Sequence, residues 1–110
     1  MSALTECKHW RWLPGIQVTG PFAGVIRIQD DRFGMWGDPA PGCLPVLSDP
    51  ATVGIIEHLA REAWGEVVVR LEYAYFGTEP WQIWADSGTA PICYAPTRGE
   101  AWAAALLAAP

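Results

Sequence analysis

Apolar positions in this chain change their spacing several times, and each change marks an element. From His9 to Leu13, Trp10 and Trp12 alternate with His9, Arg11 and Leu13, a half-buried strand pattern stopped by Pro14-Gly15. Ile16 and Val18 predict a second short strand, closed by Gly20-Pro21, and Val25–Gln29 a third. Asp30-Asp31-Arg32 then turns the chain toward Phe33, Met35 and Trp36, giving an N-terminal antiparallel meander. Met1–Lys8 carries no periodicity and reads as a poorly constrained lead-in.

Between Gly37 and Pro50 stand four prolines and two glycines, so that stretch predicts a crossing loop. Asp49-Pro50 predicts a helix start, because the Asp oxygen caps free N–H groups and proline at the first position forfeits no hydrogen bond. The helix should run to Trp64 and stop at Gly65. Val53, Ile56, Leu59, Ala60 and Ala63 form its apolar stripe, opposite Gly54, Glu57, His58, Arg61 and Glu62. The period then switches to two. Val67, Val69, Leu71, Tyr73 and Tyr75 share one face of a strand over Glu66–Phe76, while Val68, Arg70, Glu72, Ala74 and Phe76 share the other. Gly77-Thr78-Glu79-Pro80 turns into a hairpin partner over Trp81–Asp86, and Ser87-Gly88-Thr89 turns again toward Ile92–Tyr94. Thr97 and Glu100 form a capping-box pattern for a last helix, Arg98–Ala108, with Trp102, Leu106 and Ala109 on its apolar side. The order predicts one α+β domain over residues 1–110: meander, helix, hairpin, helix, with an antiparallel β-sheet packed by two α-helices. Trp64 should lie buried where the middle helix meets the sheet, so that Trp64→Ala would cost about 3–5 kcal/mol.

Composition narrows the function classes. Charged residues are 17% of the chain and apolar ones 51%, which disfavours disorder and favours an apolar surface that meets a partner or a second copy. Seven basic residues and a net charge of −5 argue against direct nucleic-acid binding. The longest apolar tract, Ala101–Pro110, is half of a bilayer span, and the N-terminus lacks the apolar region of an export signal. Three widely spaced cysteines suit reduced thiols better than a disulfide framework, and together these features predict a cytoplasmic protein.

Two segments carry a resemblance. C-K-H-W-R-W-L-P-G over Cys7–Gly15 and S-D-P-A-T-V-G-I-I-E-H-L-A-R-E-A-W-G over Ser48–Gly65, with the final A-A-A-L-L-A-A-P, are similar to small uncharacterised proteins encoded in bacteriophages and prophages. The resemblance implies an accessory protein acting inside a bacterial host by binding a host or phage component. It supplies no catalytic or binding residues.

The candidate chemistry is sparse. Cys7, His9, Cys43 and Cys93 offer four zinc ligands only if they converge, and their spacing lacks the paired knuckles of structural zinc sites. Asp30, Asp31, Asp38 and Glu57 offer carboxylates without an accompanying nucleophile or oxyanion donor. No phosphate-loop, dinucleotide, metalloprotease or nucleophile-elbow motif occurs, so no cofactor is expected. Trp10, Trp12, Tyr73, Tyr75, Trp81 and Trp84 are the candidates for an exposed aromatic platform. The leading expectation is a non-enzymatic interaction protein contacting a host protein, a phage protein or itself through Trp10, Trp12, Trp81, Trp84, Asp30 and Asp31. Two rivals stand beside it. One is an acidic, anti-CRISPR-like inhibitor that offers Asp30, Asp31, Asp38, Glu57 and Glu62 to a basic groove on a host nucleic-acid-binding protein. The other is a small metal- or thiol-dependent enzyme built on Cys7, His9, Cys43 and Cys93.

Overall fold

A computed structural model describes residues 2–20, 25–28, 39, 42–74, 77–86 and 88–110. The α+β class with antiparallel pairing is present, and both long helices lie where their capping signals put them. Helix α2, Pro50–Trp64, is capped by Asp49, whose side chain accepts from the Thr52 N–H. It ends at Gly65, whose positive φ lets its N–H reach the Arg61 and Glu62 carbonyls. Helix α3, Arg98–Ala108, starts with the Thr97 hydroxyl accepting from the Glu100 N–H at 3.2 Å.

The first residues are not a loose lead-in. They form α1, Ser2–Thr5, which inserts Leu4 fully into the core and packs on α3. His9–Leu13 is likewise not a strand. The Trp10 N–H donates to the Cys7 carbonyl in a turn, and no strand pairs with the segment. Side chains hold it instead: the Trp10 and Trp12 rings meet edge to face at 5.1 Å, and Arg11 reaches Glu62 on α2 at 2.7 Å.

The strands divide into two sheets rather than one. The first comprises β1 (Gln17–Thr19), β2 (Val25–Arg27) and β3 (Leu44–Pro45) in the order β2-β1-β3, all antiparallel. Strand β3 lies inside the expected loop, pairing Val18 with Pro45 and Thr19 with Leu44. It is two residues long and its proline has no N–H to offer a further neighbour, so the sheet ends there. The second sheet comprises β4 (Val69–Tyr73), β5 (Trp81–Ala85) and β6 (Cys93–Ala95) in sequence order, again antiparallel. Strand β4 is shorter than the Glu66–Phe76 alternation suggests. Val67 and Val68 precede it and are exposed, and Tyr75 and Phe76, like Phe33, Met35 and Trp36, lie outside the described residues.

Helix α3 occupies the middle of the molecule, against α2, α1, β5 and β6. Trp102, Ala101, Ala103, Ala105 and Leu106 are fully buried, and the run of alanines allows close helix–helix approach. The principal partner of α2 is therefore α3, not a sheet. Trp64 sits in this seam half-buried, its indole N–H donating to the Ala105 carbonyl at 2.9 Å, which corrects the expected helix-on-sheet placement. Arg61 ties three elements together from α2: it stands over the Trp102 ring at 4.9 Å, donates to the Val69 carbonyl and pairs with Glu57. At the start of α3, Gly99 lies so close to the Leu47 carbonyl that any Cβ would collide with it.

The first sheet is tied to α2 by a polar junction. Arg27 grips the Asp49 carboxylate through both terminal nitrogens, at 3.0 and 2.9 Å, and donates to the Gly15 carbonyl. The fully buried Thr52 donates its hydroxyl to Asp49 at 2.8 Å and accepts the Gln17 N–H at 2.7 Å. These donors, Arg27 foremost and then Thr52, hold the Asp49 carboxyl far below the usual carboxylate range.

Candidate functional site

Strand parity sorts the second sheet into two faces. Val69, Leu71, Ile83 and Ala95 point to the α3 side, with Val69, Ile83 and Ala95 buried. On the opposite face stand Arg70 and Glu72 from β4, Gln82 and Trp84 from β5 and Tyr94 from β6. Val68 continues that row, because its carbonyl accepts the Asp86 N–H and extends the ladder by one residue. This face is open, with Val68 56% and Tyr94 53% exposed.

Local contacts order it. Arg70 stands over the Trp84 ring at 5.5 Å, directly across the strand pair from it. The Trp84 indole N–H donates to the Gln82 side-chain oxygen at 3.0 Å, fixing the ring. Arg70 pairs with Glu72 at 2.9 Å and with Asp86 at 3.5 Å, and those carboxylates, Glu72 first, raise its pKa. The result is a flat surface with a pinned indole and guanidinium at its centre and a phenol at its edge.

The predicted contact residues do not gather on one platform. Trp84 is on this face. Trp81, three residues earlier, falls on the core side, with its ring against Tyr73 at 4.9 Å. Trp10 is 9% exposed and belongs to the core, and Trp12 is partly buried against it. Asp30, Asp31 and Asp38 lie outside the described residues. Glu57 and Glu62 are not bare acids: Glu57 faces Arg61 and Arg98, and Glu62 faces Arg11 and His58. Arg70 and Tyr94 were absent from the sequence candidates, although both share the alternation that places Trp84 outward.

Cys7, His9, Cys43 and Cys93 do not converge, and no metal-holding group of three His, Cys, Asp or Glu side chains occurs among the described residues. The Cys7 thiol lies near the Leu106 carbonyl, Cys43 lies beside Gly20, and Cys93 approaches the Ala101 carbonyl at 3.5 Å. Burial pushes the Cys93 thiol up, which leaves it protonated and a poor nucleophile.

Two depressions mark the surface elsewhere. One, about 270 Å³, lies between the starts of α2 and α3 and is lined by Leu47, Pro50, Val53, Thr97 and Arg98. The other, about 370 Å³, is lined by Lys8, His9, Arg11, Leu59 and Glu62. In the first, the cap oxygen of Thr97 already accepts a helix N–H group, and in the second Glu62 neutralises Arg11. No helix among the described residues is long and apolar enough to cross a membrane.

No protein-family model, curated protein or solved structure matches this chain.

Proposed function

We propose that this protein is a non-enzymatic accessory protein that binds a protein partner through the outward face of the β4-β5-β6 sheet. The observation that carries this reading is the grouping of Arg70, Trp84 and Tyr94 on one open, ordered face. Tryptophan, tyrosine and arginine are the side chains that dominate protein–protein binding energies, and a preformed indole–guanidinium stack loses little freedom on docking. The partner chemistry that fits is a protein surface with a shallow apolar recess for Trp84 and Tyr94, rimmed by charges complementary to Arg70, Glu72 and Asp86. Stacking on nucleic-acid bases fits less well, since Glu72 and Asp86 flank Arg70 on this face and repel phosphate. The resemblance of Cys7–Gly15 and Ser48–Gly65 to phage-encoded proteins motivates the setting, the cytoplasm of a bacterial host.

Trp84→Ala and Tyr94→Ala test this reading. Each should leave the thermal melt close to wild type while weakening the partner about 30-fold, the scale of an interface hot spot. Quantitative affinity purification from host cells should recover a protein with the wild type and lose it with both variants. Recovery that both variants leave unchanged would refute the assignment.

A further inference from the structure

Burial of Trp10 organises the chain ahead of β1. The Cys7 N–H donates to the Leu4 carbonyl and the Trp10 N–H to the Cys7 carbonyl, so the backbone turns tightly and carries the Trp10 ring into the core. Its neighbours Lys8, His9 and Arg11 stay outside. With Leu59, Glu62 and Ala63 of α2 they line the depression of about 370 Å³, to which Leu59 and Ala63 bring apolar surface.

The polar groups of this lining are unequally committed. Arg11 donates to Glu62 through one terminal nitrogen at 2.7 Å and keeps the rest of its planar fork of donors. Glu62 is engaged twice, by Arg11 and by His58 at 3.4 Å. The Pro110 carbonyl can only accept, so His9 donates to it through Nε2 at 2.8 Å, and that bond holds the imidazole as a wall. Lys8 has no carboxylate partner among the described residues. Since Glu62 offsets Arg11, the charge of Lys8 is the surplus.

We propose that this depression binds a small organic carboxylate, its head between Lys8 and the remaining donors of Arg11 and its apolar body on Leu59 and Ala63. A guanidinium fork matches the planar pair of carboxylate oxygens, and the surplus positive charge balances a single negative one. A phosphate monoester brings a second charge that the lining leaves unbalanced, close to Glu62. The net charge of −5 opposes any anion at long range, but that field is screened beyond roughly 8 Å at physiological salt, and the local groups decide. The site shares no residue with the outward face of the second sheet and goes beyond the reading of that face.

An amide-resolved NMR titration of the full chain with sodium benzoate, near neutral pH and at physiological salt, tests the proposal. The Lys8, His9, Arg11 and Ala63 amides should shift together with a Kd on the order of 1–10 mM, the strength expected of so small a ligand in an open depression. Benzyl alcohol, which has the body without the charge, and acetate, which has the charge without the body, should each bind at least about fivefold more weakly. Phenyl phosphate should also bind more weakly than benzoate. Lys8→Gln should weaken benzoate about threefold and leave the thermal melt unchanged, because Lys8 holds no other group. Arg11→Lys, which keeps the charge opposite Glu62 and loses the fork, should weaken it by a similar factor. Amides that stay unmoved at about 20 mM benzoate would overturn the proposal. So would benzyl alcohol or acetate binding as well as benzoate, or either variant binding benzoate like wild type. Phenyl phosphate binding more tightly than benzoate would overturn the choice of a carboxylate.

Discussion

Two residues carry more of the fold than their size suggests. Gly99 allows the first turn of α3 to abut the Leu47 carbonyl, and a methyl group there would collide with backbone, which cannot rotate aside. Gly99→Ala should therefore destabilise the protein by about 1–3 kcal/mol, although alanine is the better helix former. Urea denaturation would show the midpoint falling, whereas Gly54→Ala, at an open helical position, should raise it slightly. Asp49 is the second. Its carboxylate is stabilised by Arg27 and Thr52 in the folded chain, so its folded pKa lies below the unfolded value of about 3.9. A depressed carboxyl contributes stability above the unfolded pKa and loses it as pH falls toward the folded one. Asp49→Asn should accordingly be less stable than wild type at pH 7, and the gap in melting temperature should narrow progressively below about pH 4. A gap that stays constant down to pH 2 would show that the Arg27 grip contributes nothing through charge.

At the scale of elements, the seam between α2 and α3 is the principal packing surface, and its tryptophans differ. Trp102 is wholly enclosed, so Trp102→Ala should cost about 3–5 kcal/mol. Trp64 is half-buried and loses one hydrogen bond to the Ala105 carbonyl in the last turn of α3, so Trp64→Ala should cost about 2 kcal/mol, less than burial against a sheet implied. Chemical denaturation of the two variants should preserve that order. The helices were legible in the sequence because caps are local: Asp49-Pro50 with Gly65, and Thr97 with Glu100, satisfy backbone groups within a few residues. The two-faced alternation of Val69–Tyr73 was legible for the same reason. The pairing of β3 with β1 was not, because a two-residue strand within a proline-rich stretch has no period to read. Nor was α1, where a single buried leucine does the anchoring. In the candidate site, Trp84 was legible but was grouped with Trp81, and three residues along a strand put two side chains on opposite faces.

At the scale of the whole molecule, most of the described cations are committed internally. Arg11, Arg27, Arg61, Arg70 and Arg98 each face a carboxylate, which leaves the net charge of −5 to be expressed by acids elsewhere. The three-stranded sheets are small, and neither has a helix of its own on both faces. Among the described residues, that architecture leaves the outward face of the second sheet to the surroundings.

The central place of α3 has a consequence for how the protein is made. Helix α3 leaves the ribosome after α1, α2, β5 and β6, yet it is the one that fills the space between them. At roughly 5–20 residues per second, α2 and its apolar stripe wait for seconds before their packing partner exists. The nascent chain thus carries Ile56, Leu59 and Ile83 uncovered while every preceding element is already synthesised. Folding on this plan is a single late closure rather than a progressive assembly, and the interval before it is when the cell's chaperones would hold the chain.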